Sequence, residues 1–212
     1  MNYEKERQIS EMYAVMNSGG VALFPVDVGY SLCGMTEEAA ERIIELKKVT
    51  GKSLGILGTL KIARAVTVNR DYKRVHDLWE TGKPFGAVVR LADDAPEIPA
   101  QVVRDRTVAI FLNTGDIADY VIRRSLVQPA IIFGSSANLS GAGNHYRLED
   151  VEPEIRNGAD YVSNFGPTRY QEFADGKGKA ATLIDVVQGK IIREGFFAQE
   201  LWQHAEQLGW LR

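Results

Sequence analysis

"AIIFGSSANLSGAGN", residues 130–144, is an apolar run that breaks off into serine, asparagine and glycine. Those residue types are the usual turn formers, so a surface turn is one reading. The other is a polar lip at the end of a buried strand. Successive backbone N–H groups in a Gly/Ser-rich turn can cradle an anion, and the side chains of Ser136, Asn138 and Ser140 can orient it. The stretch lacks the G-x-S-x-G spacing of a strained nucleophile, and no serine has an evident His/Asp partner. Covalent serine catalysis is therefore not expected.

Working outward, the run AIIF reads as one strand of an alternating series. Ile9, Met12, Tyr13 and Met16 recur at helical spacing over 3–17, and Ser18-Gly19-Gly20 ends that helix. VALF (21–24) reads as a buried strand. Thr36 followed by Glu37 and Glu38 marks a helix start, with Lys47 and Lys48 closing its last turn. LGIL (54–57), FGAVVRL (85–91) and VAIFL (108–112) read as strands, with helices over 70–80 and 116–127. A helix is predicted over 148–157. ATLIDVV (181–187) and KIIRE (190–194) read as a hairpin around Gln188-Gly189, and Leu201, Trp202, Ala205 and Leu208 mark a last helix. Interleaved helices and strands with at least one hairpin predict an α/β fold with a mixed sheet. No repeat or linker composition interrupts the 212 residues, so a single domain over 1–212 is expected.

Composition narrows the partners. The formal net charge is −3, so nucleic acid would need a local basic patch. Cys33 is the sole cysteine, which rules out an internal disulfide and fits an intracellular compartment. The three histidines, His76, His145 and His204, lack metal-ligand spacing, so no structural zinc is expected. The first ten residues are charged and no apolar stretch reaches membrane-spanning length, which leaves the cytoplasm as the expected location.

Three further segments could carry chemistry. TGKS (50–53) resembles the tail of a phosphate-binding loop, but Leu46 stands where the first glycine should be and the order runs helix to strand. What remains is a basic cluster of Lys47, Lys48 and Lys52, which reads either as a solvated helix end or as a phosphate site. In ALFPVDVGYSLCG (22–34), Pro25 is expected to make the chain leave the sheet, placing Asp27 and Tyr30 beyond a strand end, where open α/β sheets bind ligands. Asp27 could equally just cap a turn. DGKGKAATLID (175–185) is a glycine-punctuated basic loop with Lys177, Lys179 and Thr182.

Taken in order, FPVDVGYSL, ELKKVTGKSLGIL, GKPFGAVVRL, VAIFLN, GSSANLSG, ATLIDVV and IIREG resemble the YrdC-like family of threonylcarbamoyl-AMP synthases over roughly residues 8–196. The family pattern runs F-P-T-D-T-V-Y-G-L, E-L-K-x-R-P, K-P-L, S-A-N-x-S-G, S-T-V-V-D and R-x-G. The resemblance implies a twisted open mixed sheet flanked by helices, with a deep concave, positively lined cavity. It implies an enzyme that combines L-threonine, bicarbonate and ATP with Mg2+, releasing pyrophosphate and threonylcarbamoyl-AMP for tRNA modification. Related domains handle carbamoyl-adenylate, and double-stranded RNA binding is also associated with the family.

Carried over residue by residue, the resemblance gives Lys47 and Lys52 the role of neutralising triphosphate charge. Asp27, Tyr30, Ser136, Asn138, Ser140, Thr182 and Arg193 become nucleotide- or substrate-binding residues, with Mg2+ borne by the substrate. The departures gather in the pocket motifs. Val26 and Val28 stand for threonines, Gly29 and Ser31 for Val and Gly, and Val49 and Phe111 for arginines. Ser53 and Asn113 stand for prolines, Gly86 for a threonine and Ala181 for a serine. Two alternatives follow: a divergent paralogue that uses another amine, or a module that binds structured RNA without synthase activity.

Overall fold

The computed structural model describes residues 3–48, 54–125, 130–173 and 178–209. Lys52, Lys177 and the TGKS stretch lie outside the described residues.

Local rules set the first elements. Helix α1 (Tyr3–Asn17) buries Ile9, Met12 and Met16 and ends at the predicted glycine pair. Strand β1 (Ala22–Val26) and strand β2 (Gly29–Gly34) form a hairpin around Asp27 and Val28. The chain thus turns back instead of leaving the sheet at Pro25. Proline is tolerated there because Tyr30, its register partner, points its own N–H and C=O away, to His145 and Ala137. On the other side of β1, strand β7 (Tyr161–Val162) pairs only as far as Leu23. No ladder bond needs the missing N–H.

Helix α2 (Glu37–Lys47) starts as predicted, with Thr36 Oγ1 accepting from the Ala39 N–H at 3.3 Å. It ends with Lys48 in the left-handed conformation. Strand β3 (Gly55–Leu57) follows. Helix α3 (Leu60–Val66), capped by Thr59, has no counterpart in the sequence reading. Helix α4 (Asn69–Trp79), strand β4 (Phe85–Arg90), strand β5 (Thr107–Leu112) and helix α5 (Asp116–Ser125) match expectation to within a few residues.

Strand β6 (Phe133–Ser136) corrects the opening reading. Its first residue is the last of the apolar run, and Gly134, Ser135 and Ser136 continue it as strand. The predicted helix over 148–157 is split by Pro153 into a 3-10 turn (Leu148–Asp150) and helix α6 (Pro153–Gly158). Strand β8 (Thr182–Asp185) and strand β9 (Lys190–Arg193) form the predicted hairpin. Asp185 Oδ1 accepts from the N–H groups of Val187 and Gln188, and Gly189 turns at φ 69°. Helix α7 (Ala198–Gln207) closes the described chain.

Among the described residues, the strands make one nine-stranded mixed sheet in the order β7-β1-β2-β6-β3-β5-β4-β8-β9. Helices α1, α2, α4 and α5 pack on it. In β5, Val108, Ile110 and Leu112 are buried while Thr107, Ala109 and Phe111 are half-buried, the period-two signature of a strand with one covered face. The sheet also curls. The Asp27 N–H donates to the Thr114 carbonyl at 2.7 Å, so the β1–β2 turn meets the residues that follow β5.

Candidate functional site

The face of the sheet carrying Thr107, Ala109 and Phe111 opens into a cavity of about 1210 Å³. Register explains the hollow. Gly134, Gly55 and Ala109 are neighbours across β6, β3 and β5, with Cys33 and Val88 at either end of the row. Those three residues have little or no side chain, so the backbone itself forms the floor. Ser31 and Ser136 are paired on β2 and β6 beside this row, and both line the cavity.

The polar lip is fastened from below. Lys47, the last residue of α2, is only 4% exposed. Its Nζ donates to the carbonyls of Ser136 and of Asn138, the latter at 2.7 Å, and to Asn138 Oδ1 at 3.4 Å. A buried ammonium is costly unless its protons find acceptors, and here the acceptors are main-chain oxygens of the lip. Asn138 in turn donates from Nδ2 to the Leu139 carbonyl at 2.7 Å. The Leu139 N–H donates to Glu152, which also meets His145 at 3.1 Å. Burial disfavours the Glu152 carboxylate, but hydrogen bonds from the backbone and His145 hold its pKa below the usual range.

Farther along, Asn144 Nδ2 donates to the Val28 carbonyl and the Asn144 N–H to that of Gly178, each at 2.9 Å. These bonds tie the loop after the lip to the β1–β2 turn and to the loop before β8.

Arg193 lies in the cavity wall, reachable from inside it, and its guanidinium donates to the Ala181 carbonyl at 3.0 Å. The protein atoms packed around it lower its pKa. Arg104 and Lys179 join Lys47 and Arg193 in the lining, against the carboxylates of Glu194 and Glu200. Among the described residues, the one cluster of three metal-ligating side chains is His76, Asp77 and Glu80 at the end of α4, none of which lines the cavity.

The cavity thus brings together Lys47, Ser136, Asn138, Ser140 and Arg193. Asp27, Tyr30 and Thr182 do not share its wall. The Tyr30 side chain is fully buried; its hydroxyl donates toward Asn164 Oδ1 and the Gly166 carbonyl, and burial, reinforced by Glu149, pushes its pKa up to about 12. Asp27 faces Arg169 at 3.4 Å, and burial raises its carboxyl pKa despite that partner. The Thr182 hydroxyl donates to the Phe196 carbonyl and accepts from the Gly195 N–H, clasping the segment after β9 to β8. Lys48 is exposed and paired with Glu154 at 2.8 Å, as a solvated helix end would be.

Phe111 and Thr114 line the cavity without having been singled out as binding residues from sequence; Arg104, one of four arginines that could stand in for the missing guanidinium groups, lines it too. VAIFL is apolar throughout, so alternation could not reveal which of its residues face a ligand. Among the described residues, no helix is long and apolar enough to cross a membrane.

Residues 14–195 match the model of the Sua5/YciO/YrdC family, described as "Telomere recombination". No curated protein matches the chain. Among solved structures, the chain is similar to a hypothetical protein, smu.1377c, of Streptococcus mutans UA159. The two share 17% identity and a TM-score of 0.77, over 93% of this chain and 90% of that one. It is also similar to P. abyssi Sua5 complexed with L-threonine, at 19% identity and TM-score 0.72, over 92% of this chain and 56% of that one. A third is full-length HypF in its phosphate- and nucleotide-bound form, at 14% identity and TM-score 0.69, over 88% of this chain and 28% of that one. At these identities the likeness is one of fold, and the chain spans about half of that Sua5 and a smaller share of HypF.

Proposed function

Because the chain belongs to the Sua5/YciO/YrdC family, we propose that its cavity forms or handles a carbamoyl-adenylate from ATP, bicarbonate and an amine. The observation that carries this reading is the Lys47-fastened lip: Ser136, Asn138 and Ser140 stand at one cavity with Arg104, Lys179 and Arg193. Threonylcarbamoyl-AMP synthesis is the finer form of the proposal, supported by the L-threonine complex of the Sua5 neighbour and the nucleotide-bound HypF.

The roles follow from chemistry. The amine and bicarbonate yield a carbamate with loss of water, and a carbamate oxygen attacks the α-phosphorus of ATP as pyrophosphate leaves. No protein nucleophile is required, so positioning and charge stabilisation carry the rate. Arg193 and Arg104, with Lys52 from the sequence motif, would meet the phosphates. Ser136 and Asn138 would hold the α-phosphate or the amine's carboxylate. Lys47 would act largely through the lip that it fixes. Mg2+ would arrive on the nucleotide, supplying charge neutralisation to its phosphates, with few protein ligands.

The apolar wall favours a second form of the reading, in which the amine is not threonine. Val26, Val28 and Phe111 all line the cavity, and none can hydrogen-bond a substrate hydroxyl. Labelled pyrophosphate exchange into ATP, run with bicarbonate and a panel of amino acids, tests both. Exchange that needs bicarbonate and an amine supports the proposal, and the best amine decides its form. No exchange with any amine would refute it.

A further inference from the structure

We infer that Phe111 is a specificity-determining platform on which a flat apolar group of the ligand stacks, an inference that rests on the cavity being the substrate site. The ring's orientation follows from the glycines beside it. A Cβ on Gly86 would fall 2.6 Å from Phe111 Cε1 and 2.9 Å from Cδ1. A Cβ on Gly55 would fall against Cε2 and 2.7 Å from Cδ2. Gly86 is on β4 and Gly55 on β3, the strands on opposite sides of β5. The two long edges of the ring therefore overlie different strands, and the ring lies flat across the sheet. The positions beside its two edges carry no side chain, and Phe111 lines the cavity.

The surroundings complete an apolar subsite. Leu57 and Leu183 line the same cavity, and Leu183 is the register partner of Gly86. The Asp27–Thr114 backbone bond brings Val26 and Val28 alongside Thr114. Thr114 lines the cavity and is 2% exposed; its own Oγ1 is buried and has no hydrogen-bond partner among the described residues. An aromatic face with aliphatic shoulders stacks planar π-systems and leaves a hydroxylated side chain without partners. Two sources share that chemistry: the base of the nucleotide and an aromatic side chain on the amine.

Calorimetric titration of the wild type, F111L and G86A separates them. The probes are ATP, inorganic tripolyphosphate, L-phenylalanine and L-threonine, with each amino acid added alone and in the presence of ATP. Leucine keeps apolar volume but not the flat face, and G86A keeps the ring while lifting it off the sheet. Both variants are expected to bind one planar probe about tenfold more weakly, with tripolyphosphate unchanged. Loss for ATP assigns the platform to the base; loss for L-phenylalanine assigns it to the amine. Wild-type affinity of both variants for ATP and for L-phenylalanine overturns the inference, as does a wild type that binds neither. If ATP and tripolyphosphate both fail to bind while L-phenylalanine binds through Phe111, the nucleotide reading falls and the platform stands.

Discussion

The Nζ of Lys47 lies 2.7 Å from the main-chain oxygen of Asn138, joining a helix end to a loop 91 residues later in the chain. The position of the lip in space therefore depends on a lysine at the end of a helix. Replacing Lys47 with methionine keeps the apolar stem and removes the donors, leaving the Ser136 and Asn138 carbonyls short of partners. The expected cost is about 1–3 kcal/mol in denaturant unfolding, with a parallel fall in ATP affinity. Lys48→Ala, which removes an exposed pair with Glu154, should cost no more than about 1 kcal/mol and leave binding intact.

Asp71 supplies the pH dependence. It is fully buried and accepts from the Arg90 N–H and Nε at 2.9 Å each and from Nη2 at 2.5 Å. Burial opposes its charge, but these bonds prevail and depress its pKa. A carboxylate with a depressed folded pKa stabilises fully above its unfolded value, near 4, and that contribution is lost as pH falls through the folded value. Asp71→Asn should therefore cost about 2 kcal/mol at pH 7. The gap between wild type and variant should close in unfolding experiments run below pH 4.

Gly55 and Gly86 are predicted to couple to Phe111. Gly55→Ala would drive a methyl into the ring and should destabilise the fold by about 1–3 kcal/mol. Combining it with Phe111→Leu should recover part of that loss. A double-mutant cycle read by thermal unfolding gives the coupling, and strict additivity would place the ring elsewhere.

Cys33 has no exposed surface, and burial raises its thiol pKa. It should resist iodoacetamide in the native state and react at the rate of a free thiol once denatured. Timed alkylation therefore reports opening of the sheet at β2.

Some of this was legible in the sequence, and the failures have physical causes. The lip was legible because Ser136, Asn138 and Ser140 are polar residues at the end of an apolar run. Lys47 was legible as a site residue by resemblance, whereas its bonds to backbone oxygens depend on where α2 meets β6. Pro25 misled because the rule against proline in a strand presumes neighbours on both sides, and β7 has already stopped at that level. The floor of the cavity was hidden. Gly134, Gly55 and Ala109 are far apart in sequence, and only strand register makes them adjacent. Phe111 sits in the apolar run VAIFL, where alternation does not mark the faces, so the glycines that seat its ring reveal it only in three dimensions.

The place of β6 between β2 and β3 also bears on how the molecule assembles. β2 and β3 are made early but cannot join each other; each waits for residues 133–136. A chain emerging from the ribosome therefore keeps the facing edges of β2 and β3 unpaired through the synthesis of β4, β5 and α5. Exposed edges are templates for wrong pairing, and contacts of long sequence separation close slowly. The strand that carries the lip is thus the keystone of the sheet, and its arrival closes both of those edges at once.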